Sequence, residues 1–315
     1  MGKQSVLITG GSGYIGSVLT GELLSKGYSV TCLDNLSLKQ NSLINYAHNP
    51  DFEFIYGDCR DENLLKEIIP KFDILIPLAA IVGMPACKSS PIDAKTINYD
   101  AIISLNKIRQ PHQKVIYPNT NSGYGIGIEG IHCTEESPLN PISLYGETKC
   151  NAEKHLLEDE KDAITLRLAT VFGTSPRMRT DLLVNDFTLN AARDGVIILY
   201  EKDFKRNFVH IRDVANCFIH CIENYEEMKN KPYNLGLDEA NISKLELANK
   251  IKEQVPRFEI IEKEIGQDPD KRNYIVSNKK LEDAGFKANI SLDKGITELI
   301  KAYSIILKNN PTRNA

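Results

Sequence analysis

Tyr145 and Lys149 stand four residues apart in Ser143-Leu144-Tyr145-Gly146-Glu147-Thr148-Lys149. On a helix that spacing brings a phenol and an ammonium to one face. A tyrosine ionises near pH 10, so acting as a base at neutrality requires a fall of roughly three pH units, about 4 kcal/mol. A neighbouring cation pushes in that direction. A surface pair is the ordinary meaning of such spacing, and a second motif is needed to raise it to chemistry.

That motif is Thr9-Gly10-Gly11-Ser12-Gly13-Tyr14-Ile15-Gly16. It follows the apolar run Val6-Leu7-Ile8 and opens a helix-like stretch from Tyr14 to Ser25. One glycine permits a tight turn, one lets backbone approach a pyrophosphate, and one lets the helix pack on the strand. The free N–H groups of the helix N-terminus then face the phosphates. Asp34 ends the second predicted strand 18 residues after Gly16. A carboxylate there accepts both ribose hydroxyls of NAD and repels the extra phosphate of NADP. The expected cofactor is therefore NAD. Asp58, after the third predicted strand, is placed to meet the adenine, with a helix cap as its other reading.

Together these motifs resemble the extended short-chain dehydrogenase/reductase family, the NAD-dependent sugar-nucleotide epimerases and dehydratases, from about residue 5 to about residue 300. Leu78-Ala79-Ala80 resembles the family's cofactor-side segment, although Pro77 stands where histidine is frequent. Asn119-Thr120-Asn121-Ser122-Gly123-Tyr124-Gly125 resembles its catalytic loop, and Glu135-Glu136-Ser137-Pro138-Leu139-Asn140-Pro141 its lead into the tyrosine. The resemblance implies that Tyr145 takes a proton from a sugar hydroxyl, usually at C4, while hydride passes to the nicotinamide. Lys149 would hold the nicotinamide ribose and keep Tyr145 ionised, and Thr120 would orient the reacting oxygen. It implies a cofactor site of Gly10, Gly13, Tyr14, Ile15, Gly16, Asp34, Asn35, Asp58, Cys59, Leu78, Ala79, Ala80, Asn98, Tyr145 and Lys149. It further implies a substrate site of Thr120, Asn121, Ser122, Asn185, Arg206 and Arg272, the two arginines on the diphosphate and Asn185 reaching a phosphate. The fork of donors on arginine suits that anion. Arg177 and Arg179 are additional basic residues, Cys87 is flagged behind an incidental-thiol reading, and His210 reads as structural.

Departures narrow the activity. Dehydratases of the family follow the catalytic threonine with an Asp-Glu pair, but Thr120 is followed by Asn121 and Ser122, neither a general acid at neutral pH. Thr170-Val171-Phe172-Gly173-Thr174 departs from the usual Asn-x-Tyr-Gly-Pro. The expectation is C4 oxidation of a nucleotide-diphosphate sugar, as a 4-epimerase or as a net 4-dehydrogenase, with GDP-manno-heptose in capsule synthesis as one candidate. The alternatives are a keto-sugar reductase and a catalytically silent NAD-sensing module.

The elements that must position these residues alternate. Strands are predicted at 6–8, 28–34, 52–55, 74–76, 114–117, 164–168 and 196–200, and helices at 14–25, 61–69, 93–108, 148–160, 182–193, 245–254 and 292–307. Short apolar strands between helices predict an α/β fold, a Rossmann-type doubly wound parallel sheet. Residues 1–173 are assigned to it, with 206–235 returning, and 174–205 and 236–315 to a smaller C-terminal substrate-binding lobe. The tail from Lys308 to Ala315 is expected to fray.

The chain of 315 residues is 42% hydrophobic and 25% charged with net charge −4, which fits a globular fold and gives no basic excess for nucleic acid. No apolar run suits a membrane span, and the first residues do not read as a signal peptide. Seven scattered cysteines without Cys-x-x-Cys predict neither a disulfide framework nor a metal site, and a reducing, cytoplasmic setting. By the same resemblance, a homodimer or higher homo-oligomer through 93–108 and 148–160 is expected.

Overall fold

The computed structural model describes residues 3–159, 161–263 and 272–308. Val6, Leu7, Ile8, Ile74, Leu75 and Ile76 are fully buried, as strands covered on both faces require. Seven strands form one sheet: β1 (Ser5–Thr9), β2 (Ser29–Asp34), β3 (Phe52–Tyr56), β4 (Ile74–Pro77), β5 (Lys114–Thr120), β6 (Ile164–Leu168) and β7 (Lys231–Leu235). Their order is β7-β6-β5-β4-β1-β2-β3 and every pairing is parallel. The chain moves outward from β1 to β3, then returns to place β4 on the other side of β1. The crevice beyond the ends of β1 and β4 is the switch point where doubly wound sheets bind ligands.

Eight helices matter to the site: α1 (Tyr14–Ser25), α2 (Glu62–Ile68), α3 (Ala101–Ile108), α4 (Leu144–Glu158), α5 (Leu183–Arg193), α6 (Ile211–Glu223), α7 (Lys244–Gln254) and α8 (Leu292–Ile306). Two differ from the sequence-based expectation. The helix expected over 93–108 is broken into a helix at Pro91–Lys95, a π-helical turn at Thr96–Asp100 and α3. Inside that turn Asn98 is buried and bonds Ile81, so an irregular backbone aims one amide inward. The helix expected from 148 begins four residues earlier, because Ser143 accepts Gly146 N–H at 3.2 Å and caps it. Tyr145 therefore sits in the first helical turn. Glu160, Asp270, Lys271 and residues 309–315 lie outside the described residues.

Helices α5, α7 and α8 pack together, alongside a parallel pair of strands at Val196–Leu199 and Glu259–Glu262. One buried apolar cluster runs from Val6 and Ile8 through Phe172 and Phe218 to Ile296 and Tyr303, so these helices and the sheet share a core.

Candidate active site

The glycine-rich turn is shaped for close approach. Gly10 has φ +74°, and a Cβ there would lie 2.5 Å from the Ala79 nitrogen. A Cβ on Gly16 would lie 2.6 Å from the Gly11 carbonyl oxygen. Leu78 and Ala79 thus lie directly against the turn, and Leu78, Ala79 and Ala80 remain partly exposed. Asp34 accepts Ser12 N–H at 2.9 Å and Leu36 N–H at 2.8 Å, which fixes its carboxylate at the rim. The Ser12 hydroxyl is buried with no partner among the described residues. A glycine cradle, an oriented carboxylate, an orphaned hydroxyl and the start of α1 fit a dinucleotide.

Farther along the crevice, Asn35 donates to Asp58 at 3.3 Å, and Arg60 grips Asp58 through two nitrogens at 2.9 and 2.8 Å. That guanidinium holds the Asp58 carboxyl at about 2. Arg60 also bonds Asp93 at 2.8 Å, a brace the sequence reading missed because the partners are 33 residues apart. Cys59 lines a small internal cavity with Thr9, Pro77 and Ala79, and burial pushes its thiol up to about 12.

Three expected contacts are corrected in part. Tyr14 turns its phenol inward to the Gly173 carbonyl at 2.7 Å, leaving only its backbone and that of Ile15 at the helix mouth. Asn98 spends its amide on Ile81 and, at 3.4 Å, on Thr148, so it supports the cofactor-side segment from behind. Asn185 is completely buried. It accepts Gly173 N–H at 3.1 Å and donates to Tyr14 and to the Arg179 carbonyl at 3.2 and 2.9 Å. Its amide therefore tethers loops and is not turned toward a phosphate.

The loop expected to be catalytic follows β5. Thr120 caps the turn at Asn121–Tyr124: its hydroxyl accepts Ser122 N–H at 3.1 Å and donates to the Ser122 hydroxyl at 2.9 Å. Arg272 donates to that same Ser122 hydroxyl. The side chain of Asn121 is fully buried with neither amide atom partnered among the described residues. Tyr124 donates to Asn234 on β7 at 2.7 Å and accepts from Arg167 at 3.0 Å. Arg167 in turn meets Glu153 of α4 at 2.8 Å, a buried ion pair that locks loop, sheet and helix together.

Tyr145 lies half-buried on α4, whose first turn packs on this loop. Burial pushes its phenol up to about 12, opposed by the charges of Arg179 and then Arg272. Lys149, one turn on, is buried with its ammonium 4.0 Å from the centre of the Tyr117 ring. Burial drives it down to about 7. The sequence reading assigned Lys149 to ionising Tyr145, but in the protein alone Arg179 and Arg272 are the cations acting most on the phenol. Cys87 is buried, donates to the Ile81 carbonyl at 3.3 Å, and its thiol is pushed up by burial.

On the substrate side, Arg206 is buried, donates to the Lys205 carbonyl at 2.9 Å and stacks 5.9 Å from the Tyr274 ring centre. Asn273 accepts Lys205 N–H at 2.9 Å through its side chain and Gly127 N–H at 2.9 Å through its carbonyl, so the segments carrying Arg206 and Arg272 lie side by side. His210 is completely buried and caps α6 by accepting Arg212 N–H at 3.2 Å, as a structural histidine does. Among the described residues no cluster of His, Cys, Asp and Glu could hold a metal, and no helix is long and apolar enough to cross a membrane.

Similar architectures are known. The fold superposes with a TM-score of 0.85 on a UDP-glucose 4-epimerase from Thermotoga maritima solved with UDP-glucose, at 23% identity over 97% of this chain and 100% of that one. It superposes equally well on a UDP-glucuronic acid 4-epimerase from Bacillus cereus solved with UDP-glucuronic acid and NAD, at 22% identity over 96% and 100% of the two chains. Among curated proteins, a putative UDP-glucose 4-epimerase of Methanocaldococcus jannaschii is 26% identical over 97% of this chain and 99% of its own length. UDP-glucuronic acid decarboxylase 1 of Arabidopsis thaliana is 27% identical over 96% of this chain and 70% of its own length. With a glycine cradle and an oriented Asp34 at the switch point, and a family model matching residues 6–236, the chain belongs to the NAD dependent epimerase/dehydratase family.

Proposed function

We propose that the protein oxidises the C4 hydroxyl of a nucleotide-diphosphate sugar, either returning the hydrogen to the opposite face as a 4-epimerase or releasing the 4-keto sugar as a net 4-dehydrogenase. The observation that carries this reading is the convergence of Thr120, Ser122, Tyr145, Lys149 and Arg272 around a loop that contains no carboxylate. Tyr145 is the base for the sugar hydroxyl, and Thr120 holds its oxygen. NAD, when bound by the glycine turn and Asp34, supplies the hydride acceptor. Because burial keeps Tyr145 protonated in the protein alone, ionisation waits for positive charge to enter the site, and Arg179 and Arg272 lower the remaining cost. Lys149, near 7, can carry a proton or yield it at neutral pH. Arg206 and Arg272 fork onto the diphosphate. Asn121, where dehydratases need an acid, has none to give, which supports oxidation without water loss.

The test is to incubate the purified protein with GDP-, UDP-, dTDP- and CDP-sugars, GDP-manno-heptose among them, while following nicotinamide absorbance and product NMR. Inversion at C4 without net NADH supports the epimerase arm. A keto sugar with stoichiometric NADH, turning over only when an oxidant is added, supports the dehydrogenase arm. No change with any sugar nucleotide refutes the proposal.

A further inference from the structure

The C-terminal helix α8 reaches the cofactor turn through one carboxylate. Glu298 accepts the backbone N–H of Thr174 at 2.9 Å and also its hydroxyl. Its other oxygen takes Arg212 and faces His210 Nε2 at 3.4 Å. His210 Nδ1 is already an acceptor for Arg212 N–H, and its ring lies edge-on to Phe172. Gly173 sits under that ring with φ +112°, and a Cβ there would lie 2.5 Å from His210 Nε2. Thr174 is thus held by its own backbone and side chain.

The same short loop grips the first turn of α1. The Gly173 carbonyl accepts the Tyr14 hydroxyl at 2.7 Å. The Ser175 hydroxyl donates to the Tyr14 carbonyl at 2.8 Å and lies 3.0 Å from the Ser17 hydroxyl. A second strap runs from Tyr303 of α8 to the Asn185 carbonyl at 2.9 Å, and from the Asn185 amide to Gly173 and Tyr14. The links from this loop to α1 are hydrogen bonds to backbone or between part-buried and buried side chains. Displacing Thr174 therefore disturbs the bonds that hold the start of α1 beside the glycine turn.

We propose that Glu298 is a positioning residue for the dinucleotide: by holding Thr174 it sets the first turn of α1 from the C-terminal lobe without touching the cofactor. This goes beyond the sugar reading and does not rest on it, since only dinucleotide binding is needed. It predicts that Glu298 and Thr174 act as one unit on cofactor affinity, with coupling of the size seen between residues in direct contact.

The experiment uses the full chain with NADH alone, read by the nicotinamide's own fluorescence, since the protein has no tryptophan to compete. Glu298→Gln, Thr174→Val and the double variant are compared with the native protein, each with its melting temperature without ligand. The expected result is about a 5- to 10-fold loss of NADH affinity in each single variant. The double variant should be no worse than the poorer single one. If Glu298→Gln folds poorly, Thr174→Val, which keeps the side-chain shape, carries the test by itself. Native NADH affinity in a folded variant, or losses that multiply in the double, would overturn the proposal. So would a drop in melting temperature with affinity intact, since that marks a purely structural bond. Sugar-nucleotide turnover is measured separately, so failure here leaves the oxidation reading standing, and the converse holds.

Discussion

Lys149 should make the unliganded protein less stable than a variant lacking its charge. The side chain is buried and its ammonium is held down from 10.5 to about 7 by desolvation, with the Tyr117 ring as its near neighbour. That depression corresponds to about 5 kcal/mol spent on keeping a charge inside at acidic pH. Between pH 7 and 10.5 the unfolded chain carries the proton and the folded chain has lost it, so stability from this group rises with pH through that window and is lowest below it. Lys149→Met keeps the stem and removes the charge. Urea unfolding of the cofactor-free proteins at pH 6, 7, 8 and 9 gives the stability of each. Native protein should gain about 2–3 kcal/mol relative to Lys149→Met between pH 7 and pH 9, because all other titrations are common to both. The variant should be the more stable one at pH 6, while losing turnover. Parallel pH profiles for the two proteins would refute the argument, since they would mean that Lys149 is solvated or paired.

Tyr145→Phe should lower kcat by about 10²–10⁴ with nucleotide-sugar binding kept, as removal of a general base does, and single-turnover kinetics separates the two. Gly10→Ala places a methyl against the Ala79 backbone at a φ of +74° and should cost about 1–3 kcal/mol in backbone strain alone, together with NADH binding. Calorimetry and NADH titration read both effects. Arg167→Met strands the buried Glu153 carboxylate and should cost about 3–5 kcal/mol by urea unfolding. Adding Glu153→Gln to that variant should restore part of the loss, because the uncompensated charge is then gone.

Much of the site was legible because its residues are near each other in the chain. A strand, a glycine turn and a helix start are encoded within a dozen residues, and Asp34 follows at the distance a single helix and strand impose. The spacing of Tyr145 and Lys149 is a property of one helix. The loop from Asn119 to Gly125 was legible as a resemblance, and its lack of an acid could be seen directly. The seven-stranded sheet was legible for its first six strands. β7 was missed because Lys231-Pro232-Tyr233-Asn234-Leu235 mixes Lys231 and Asn234 with a proline and shows no apolar run, its fit to the sheet being supplied by pairing with β6.

Other features depended on contacts that no local pattern encodes. The break at Thr96–Asp100 answers to Ile81 and Thr148, which lie on other elements. Asn185 is expected to meet a phosphate from its place in a motif; in the structure its buried amide bonds Gly173, Tyr14 and Arg179, partners no local pattern encodes. The sequence alone determined which residues could bind a dinucleotide and which could exchange a proton, since side-chain type and helical spacing decide that. Tertiary structure decided what charge those residues carry and who holds them in place. Desolvation depends on what covers a group, and Arg179, Tyr117 and Glu298 reach the site from segments that only the folded sheet brings together.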